Sequence, residues 1–226
     1  MNNREFDVLI IGSGPAGYVT AIRSAQLGFE TAIVESQKLG GICLNWGCIP
    51  TKAMLRSAEI FTYMQNSKEF GVSAQNIGFN LDQIVNRSKK ISEQLSNGVN
   101  YLLKKNQVTL INGHAQLLSD GNVEIKSDNQ KSIKLIAKHK IIATGARPNA
   151  IPGIKPDGNL IWTYFDALRP SNIPNSILII GAGAIGIEFA SFFNALGTEV
   201  IVVEMLGHIL PNEDREISSL AKKQLE

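Results

Sequence analysis

The chain has 226 residues, enough for one large domain or for one domain and part of a second. Its residues are 44% hydrophobic and 19% charged, and the net charge of +2 is too small to indicate a nucleic acid or an anionic membrane as partner. No apolar run reaches the ~18 residues that a membrane span needs, and the N-terminus enters a strand-like run without a signal peptide, which predicts a cytoplasmic protein.

The first predicted elements form a strand–turn–helix–strand unit. A short apolar run, Val8–Ile11, precedes the pattern G-x-G-x-x-G at Gly12, Gly14 and Gly17. The first glycine of such a turn permits a tight bend, the second lets the backbone approach a pyrophosphate, and the third allows close helix–strand packing. Glu35 ends the second strand of the unit, at the place where a carboxylate can bind a ribose diol. The unit predicts a dinucleotide site.

Both cysteines of the chain, Cys43 and Cys48, lie in the next segment, GGICLNWGCIPTK. On a regular helix, residues five apart have Cα atoms about 8.7 Å apart, whereas a disulfide needs less than about 7 Å. A disulfide therefore requires a distorted helix start, for which Gly47 supplies the freedom. A strained bridge of this size suits redox chemistry, and two buried thiols or a regulatory thiol pair are the alternatives. The three histidines lie far away, so no metal site is predicted.

The stretch between residues 54 and 137 predicts helices and a β-meander. Met54–Met64 has a helical pattern, and Leu81–Asn106 has an apolar stripe at helical spacing, which indicates packing. Alternating patterns predict four short strands, at Val108–Ile111, Ala115–Leu118, Val123–Lys126 and Ile133–Ala137.

A further strand leads into Ala143-Thr144-Gly145, where small residues would let the chain pass close to a bound cofactor. The segment Pro148–Gly158 is rich in proline and glycine and predicts a linker.

The first unit is then repeated at a constant offset, with Gly181 in the place of Gly12. Gly183, Gly186 and Glu204 occupy the positions that correspond to Gly14, Gly17 and Glu35. A carboxylate at the end of the second strand accepts from a 2′-hydroxyl and repels a 2′-phosphate, so Glu204 favours NAD over NADP.

The order of these features resembles the pyridine nucleotide–disulfide oxidoreductase family, and the cysteine segment is the most specific part of the resemblance. Within the family, Leu44-Asn45 and Ile49–Lys52 are most similar to the members that oxidise dihydrolipoamide. The resemblance implies an α/β fold: an FAD-binding Rossmann-like domain with a β-meander at 1–147, a linker and crossover at 148–175, and an incomplete NAD-binding Rossmann-like unit at 176–226.

The resemblance also implies roles for single residues. Cys43 would be the interchange thiol that meets the substrate, and Cys48 the thiol in contact with the flavin. Lys52 would lie beside the flavin N5 edge and pair with Glu188, at the contact between flavin and nicotinamide. The FAD-binding residues would be Gly12, Gly14, Gly17, Glu35, Ala115, Thr144 and Gly145. The NAD-binding residues would be Gly181, Gly183, Gly186 and Glu204.

The implied activity is the oxidation of protein-bound dihydrolipoamide, with NAD⁺ as acceptor. The implied partners are a lipoyl-bearing acyltransferase subunit of a 2-oxoacid dehydrogenase complex and a second copy of the full-length chain. The sequence ends before further parallel strands of the second unit, so we expect a truncated NAD-binding domain and little activity from these 226 residues alone.

Two alternatives remain at this point. A glutathione- or mercuric-reductase-type enzyme is disfavoured by Glu204 and by the residues around the cysteines. A non-catalytic flavin-binding or thiol-sensing module is the other.

Overall fold

The structure is a computed structural model that describes residues 4–126, 132–149 and 151–225. The chain divides into two compact units, each built from two stretches of sequence. One comprises Met1–Ile49 and Lys89–Asn149, and the other comprises Pro50–Ser88 and Ala150–Glu226. This division follows packing, so the boundaries of the cofactor-binding domains stay a prediction. Ala150, in the expected linker, lies outside the described residues.

The first unit contains a six-stranded sheet in the order β3-β2-β1-β6-β5-β4. Its strands are β1 (Arg4–Ile11), β2 (Thr31–Glu35), β3 (Thr109–Asn112), β4 (His114–Leu117), β5 (Val123–Lys126) and β6 (Ser132–Ile142). The pairs among β1, β2, β3 and β6 are parallel, whereas β4 and β5 add antiparallel pairs at one edge. The β-meander is thus an extension of the same sheet.

Strand β6 differs from the sequence prediction. Two separate strands were expected, one over Ile133–Ala137 and one just before Ala143, but the structure has one strand of 11 residues. Leu135 pairs with Val123 of β5 and with Arg4 of β1, so β6 belongs to the meander at its start and to the parallel sheet afterwards. The polar residues Lys138, His139 and Lys140 interrupt the apolar pattern without interrupting the strand.

The described part of the chain before β3 contains four α-helices. They are α1 (Pro15–Gln26), between β1 and β2, and α2 (Gly41–Trp46), α3 (Cys48–Gln65) and α4 (Leu81–Lys105), between β2 and β3. Helix α3 begins at Cys48, earlier than the predicted start at Met54. Pro50 is compatible with this longer helix, because the first turn leaves its backbone N–H groups without a partner within the helix.

Two clusters of buried side chains cover the sheet of the first unit. One joins β1 and β2 to α1 and α4 through Ile10, Ala21 and Leu103, all fully buried. The other joins β1 and β2 to the meander through Phe6 and Leu135. The predicted apolar stripe of α4 is confirmed for Ile84, Val99 and Leu103, which are buried, whereas Leu95 and Leu102 of the same stripe are exposed.

The second unit contains the repeated strands as a parallel pair, β7 (Ser176–Ile180) and β8 (Glu199–Val203). It also contains most of α3 and the start of α4, since residues 50–88 belong to it. Its other elements are a 3₁₀ helix (Ser67–Phe70), α5 (Tyr164–Ala167), α6 (Ala184–Ala195) and α7 (Arg215–Leu225). Helix α6 supplies a core of phenylalanines, of which Phe192 and Phe193 are fully buried and pack edge to face. The predicted α/β class is confirmed. Among the described residues, no helix combines the length and the apolar character of a bilayer span.

Candidate active site

The first glycine turn joins β1 to α1, and two of its three glycines are required by the protein's own packing. Gly12 has φ +102°, and a Cβ atom there would lie 2.2 Å from the carbonyl oxygen of Ala143. A Cβ atom at Gly17 would lie 1.9 Å from the carbonyl oxygen of Gly12. Both distances are far below contact, so a side chain at either position would displace backbone.

Gly14 is different, because the packing of the described residues does not require a glycine there. Its backbone is extended, with φ −66° and ψ −176°, a conformation open to any residue. A Cβ atom at Gly14 would have no atom within 4 Å. Gly14 is also the N-cap of α1, and no side chain caps the helix. The backbone N–H groups of the first turn and their partial positive charge are therefore available to an anion.

Glu35, at the end of β2, is held against the same turn. Its Oε2 accepts from the backbone N of Ser13 at 3.0 Å, and its Oε1 accepts from the backbone N of Gln37 at 2.7 Å. The carboxylate thus lies beside the glycine turn, as a ribose-binding residue of a dinucleotide site does.

The second glycine turn reproduces this geometry except at its first glycine, since a Cβ atom at Gly181 would have no atom within 4 Å. Gly181 has φ +106°, and a Cβ atom at Gly186 would lie 2.0 Å from the carbonyl oxygen of Gly181. Gly183 again has extended backbone, open space at its Cβ position and no capping side chain for α6. The strands also pair in the same register, Val8 with Thr31 and Ile177 with Val200.

Glu204 takes the place of Glu35 in the second turn. It accepts from the backbone N of Leu206 at 2.9 Å and from the backbone N of Ala182 at 2.8 Å. These two hydrogen bonds stabilise the charged carboxylate, the one from Leu206 with the larger effect, and so lower the pKa of Glu204 below its ordinary value. Glu204 is therefore ionised at neutral pH, as repulsion of a 2′-phosphate requires.

The Ala-Thr-Gly segment follows β6 and reaches the first turn. Ala143 donates its backbone N–H to the carbonyl oxygen of Ile11 at 2.8 Å, and Gly145 has φ +73°. Thr144 lies next to Gly12, with its Cα 3.2 Å from the ideal Cβ position of that glycine. Ala115, which the resemblance places near the adenine, lies on β4 opposite Ile125. Their contacts with a cofactor remain predictions.

The two cysteines lie on different helices, because the helix is interrupted at Gly47. Cys43 is part of α2 and is half-buried, and Cys48 begins α3 and is exposed. Gly47 has φ −145° and ψ −116°, which is not a helical conformation. The distortion that a disulfide would need is therefore present. The Cys43–Cys48 disulfide stays a prediction.

Lys52 and Glu188 form an ion pair between α3 and α6, within the second unit. The sequence resemblance predicted this partnership, and the two side chains do meet. Their side chains are 60% and 25% exposed. Among the described residues, no group of three His, Cys, Asp or Glu side chains forms a metal site.

We expect the Lys52–Glu188 pair to matter little for stability, because the lysine is mostly in solvent. Lys52→Met or Glu188→Gln should change the free energy of unfolding by less than about 1 kcal/mol. Urea denaturation of both single variants and the double variant measures this. The exposed pair of Arg56 and Glu59 on α3, at 2.6 Å, provides the matched comparison. A larger loss would mean that the pair is structural.

Sequence reasoning missed two features beside the first turn. The hydroxyl of Ser13 donates to Glu35 Oε2 at 2.5 Å, a contact between two different elements of the unit. A Cβ atom at Gly41 would lie 2.7 Å from the Cα of Gly14. The double glycine before Cys43 was a visible signal for this close approach, whereas the role of Ser13 depends on where Glu35 folds.

Two dinucleotide-type turns and a cysteine pair in one chain define the class of nucleotide-dependent disulfide oxidoreductases. The chain belongs to the pyridine nucleotide-disulphide oxidoreductase family, which it matches over residues 6–226. The predicted family resemblance is confirmed.

Curated relatives narrow the comparison. The chain is 50% identical to dihydrolipoyl dehydrogenase of Rhizobium etli, over 98% of this chain and 49% of that protein. It is 48% identical to dihydrolipoyl dehydrogenase of Zymomonas mobilis, over 96% of this chain and 47% of that protein. The chain thus spans about half the length of these relatives.

Among solved structures, the chain is similar to the Cu(II) complex of the HOCl-induced flavoprotein disulfide reductase RclA from Escherichia coli. The TM-score is 0.79 at 26% identity, covering 100% of this chain and 47% of RclA.

Proposed function

We propose that this chain provides the two nucleotide sites and the redox thiols of a dihydrolipoyl dehydrogenase, with FAD on the first turn and NAD on the second. The observation that supports this most directly is the pair of middle glycines, Gly14 and Gly183. Each faces open space at an uncapped helix start, and packing among the residues that the structure describes does not explain either one. The close approach of a pyrophosphate explains both.

The residues present fit the two cofactors. FAD would be held by the first turn, by Glu35 at the adenosine ribose and by the Ala143–Gly145 segment. NAD would be held by the second turn and by Glu204. When bound, the flavin supplies the two-electron chemistry that links a dithiol to the nicotinamide. The chain itself would hold each bound cofactor in position, and the Lys52–Glu188 ion pair would supply one positive and one negative charge.

The cysteines would perform the exchange with the substrate. A thiolate of the dihydrolipoyl group attacks Cys43 Sγ and breaks the Cys43–Cys48 bond, and Cys48 leaves as the thiolate. The second substrate thiolate then attacks the substrate sulfur of the mixed disulfide and releases Cys43. The substrate departs as the cyclic disulfide, two protons go to base, and the two electrons remain on the protein dithiol.

The relatives support dihydrolipoyl groups as the substrate class, because identities near 50% extend over nearly the whole chain. We propose accordingly a lipoyl-bearing acyltransferase subunit as partner, a homodimer for the full-length protein, and the cytoplasm as location. Both cysteines lie in one redox-type segment, so the chain has no cysteine pair left for a structural disulfide elsewhere. This composition supports a reducing compartment.

A test of the proposal starts from the full-length protein. We expect it to bind FAD, to reduce NAD⁺ with dihydrolipoamide, and to show a long-wavelength thiolate–flavin absorbance band on partial reduction. Activity with glutathione or mercuric ion instead would favour the alternative enzymes. A colourless protein with inert thiols would contradict the proposal. The 226 residues alone should turn over little, since they cover 49% of the Rhizobium etli relative, and the same assay on that chain tests this.

Glu204 should set the preference for NAD⁺. In the full-length protein, Glu204→Gln should lower the ratio of kcat/KM for NAD⁺ over NADP⁺ by at least about tenfold, because the repulsion of the 2′-phosphate is lost. Steady-state kinetics with both nucleotides measures the ratio. Glu199→Gln, at the opposite end of β8, is the matched control and should leave the ratio unchanged. An unaltered ratio in Glu204→Gln would remove Glu204 from the NAD site.

A further inference from the structure

Ser13 is a buried residue at the second position of the first glycine turn, and its side chain is fully enclosed. Its Oγ donates to Glu35 Oε2 at 2.5 Å, and its backbone N donates to the same oxygen at 3.0 Å. The backbone N of Gly40 donates to Ser13 Oγ at 3.3 Å and to the Ser13 carbonyl oxygen at 3.0 Å. The hydroxyl therefore joins the carboxylate to the residue at which the cysteine segment begins.

The second unit provides an internal reference in which this hydroxyl is missing. Ala182 stands where Ser13 stands, and it holds Glu204 through its backbone N alone, at 2.8 Å. The backbone bond from Gly40 to the Ser13 carbonyl oxygen also has a counterpart there, since the backbone N of Leu210 donates to the Ala182 carbonyl oxygen at 2.7 Å. The serine hydroxyl is thus an addition to a carboxylate anchor that the backbone already forms.

We infer that Ser13 is a positioning residue for the adenosine half of FAD, an inference that rests on the proposed flavin site. An ionised carboxylate has roughly four acceptor positions. The two donors of Ser13 occupy those of Oε2, and Gln37 occupies one on Oε1. One acceptor position on Oε1 is then left for the ribose of the proposed FAD. Because a hydrogen bond to a carboxylate is stronger than one between neutral groups, the buried hydroxyl keeps the half-buried carboxylate in this one orientation.

The test measures FAD affinity of the full-length apoprotein by the change of flavin fluorescence on titration. Ser13→Ala should weaken FAD binding by about tenfold, since the orienting charge-assisted bond is lost. Binding of FMN, which lacks the adenosine, should be unchanged. In a Glu35→Ala background, Ser13→Ala should cause no further loss of FAD affinity, because the hydroxyl then has no carboxylate to orient. The two variants thus form a double-mutant cycle.

Matched variants separate positioning from folding. Ser88→Ala removes another buried hydroxyl, one bonded to the Val85 carbonyl oxygen, and should leave FAD affinity unchanged. Ser13→Ala should fold, because Ala182 occupies the same backbone position in the repeat. Ser13→Cys has a similar shape but a weak hydrogen-bond donor, so it should show the same loss of FAD affinity. It replaces the alanine variant in the test if that variant is unstable.

Three outcomes would overturn the inference: unchanged FAD affinity in Ser13→Ala, a loss that persists in the Glu35→Ala background, or an equal loss for FMN. These outcomes leave the proposed function intact as long as the unaltered protein binds FAD. An unaltered protein that binds no FAD would overturn both.

Discussion

Replacing either cysteine with serine in the full-length, FAD-loaded protein is expected to lower NAD⁺ reduction by dihydrolipoamide at least about 1,000-fold, or about 4 kcal/mol in activation free energy. Thiol–disulfide exchange needs a sulfur that is attacked and a second sulfur that leaves, and a serine hydroxyl does neither. The two helices that carry Cys43 and Cys48 are separated only by Gly47, so both thiols belong to one local segment. Steady-state formation of NADH measures the loss.

The control for this prediction is electron transfer that bypasses the thiols. Oxidation of NADH by ferricyanide needs the nucleotide sites and not the cysteines, and both serine variants should retain it. In the unaltered, FAD-loaded protein reduced with NADH, iodoacetamide should label Cys43 before Cys48, because bound flavin would cover Cys48, which is the more exposed of the two in this structure. A Cys48→Ser or Cys43→Ser variant with normal dihydrolipoamide turnover would eliminate the proposed relay.

The repeated turn is the part of the site that the sequence predicts best. The first glycine of each turn has a positive φ, and the third is imposed by contact with the carbonyl oxygen of the first, within one strand–helix–strand unit. The spacing of the glycines therefore predicts the bend, the helix start and the place of the carboxylate. The two copies agree in detail: Gly12 donates to Val34 and Gly181 donates to Val203, each at 2.8 Å. A turn that requires glycine at fixed positions can be recognised in a sequence, because few other residues can replace glycine there.

Non-local contacts were harder to predict. Strand β6 is continuous because β5 pairs with its first residues and β1 with the rest. The residue pattern within Ser132–Ile142 does not indicate that the strand has two partners. The start of α3 at Cys48 depends on the conformation at Gly47. Ser13 reads as an ordinary small residue until Glu35 is brought beside it from the next strand.

The middle glycine and the third glycine of the first turn should give opposite results when each is replaced with alanine. Gly14→Ala should leave the free energy of unfolding unchanged or raise it by about 0.4–1 kcal/mol, because its backbone is extended and its Cβ position is empty. The same methyl group would occupy the space of the pyrophosphate. FAD affinity should therefore fall at least about 100-fold in a protein that is no less stable.

Gly17→Ala should instead destabilise the protein itself. Its Cβ atom would lie 1.9 Å from the Gly12 carbonyl oxygen, so α1 would have to move away from the turn. Overpacking of this kind costs about 1–3 kcal/mol of folding free energy, and urea denaturation of the apoprotein measures it directly.

The repeat supplies the matched pair of controls for both variants. Gly183→Ala and Gly186→Ala make the same two changes in the second turn, with an empty Cβ position at Gly183 and a 2.0 Å contact at Gly186. Gly183→Ala should weaken NADH binding and leave FAD affinity unchanged, whereas Gly14→Ala should do the reverse. If Gly14→Ala bound FAD normally, the open space at the start of α1 would not be a pyrophosphate site, and the assignment of FAD to the first turn would fail.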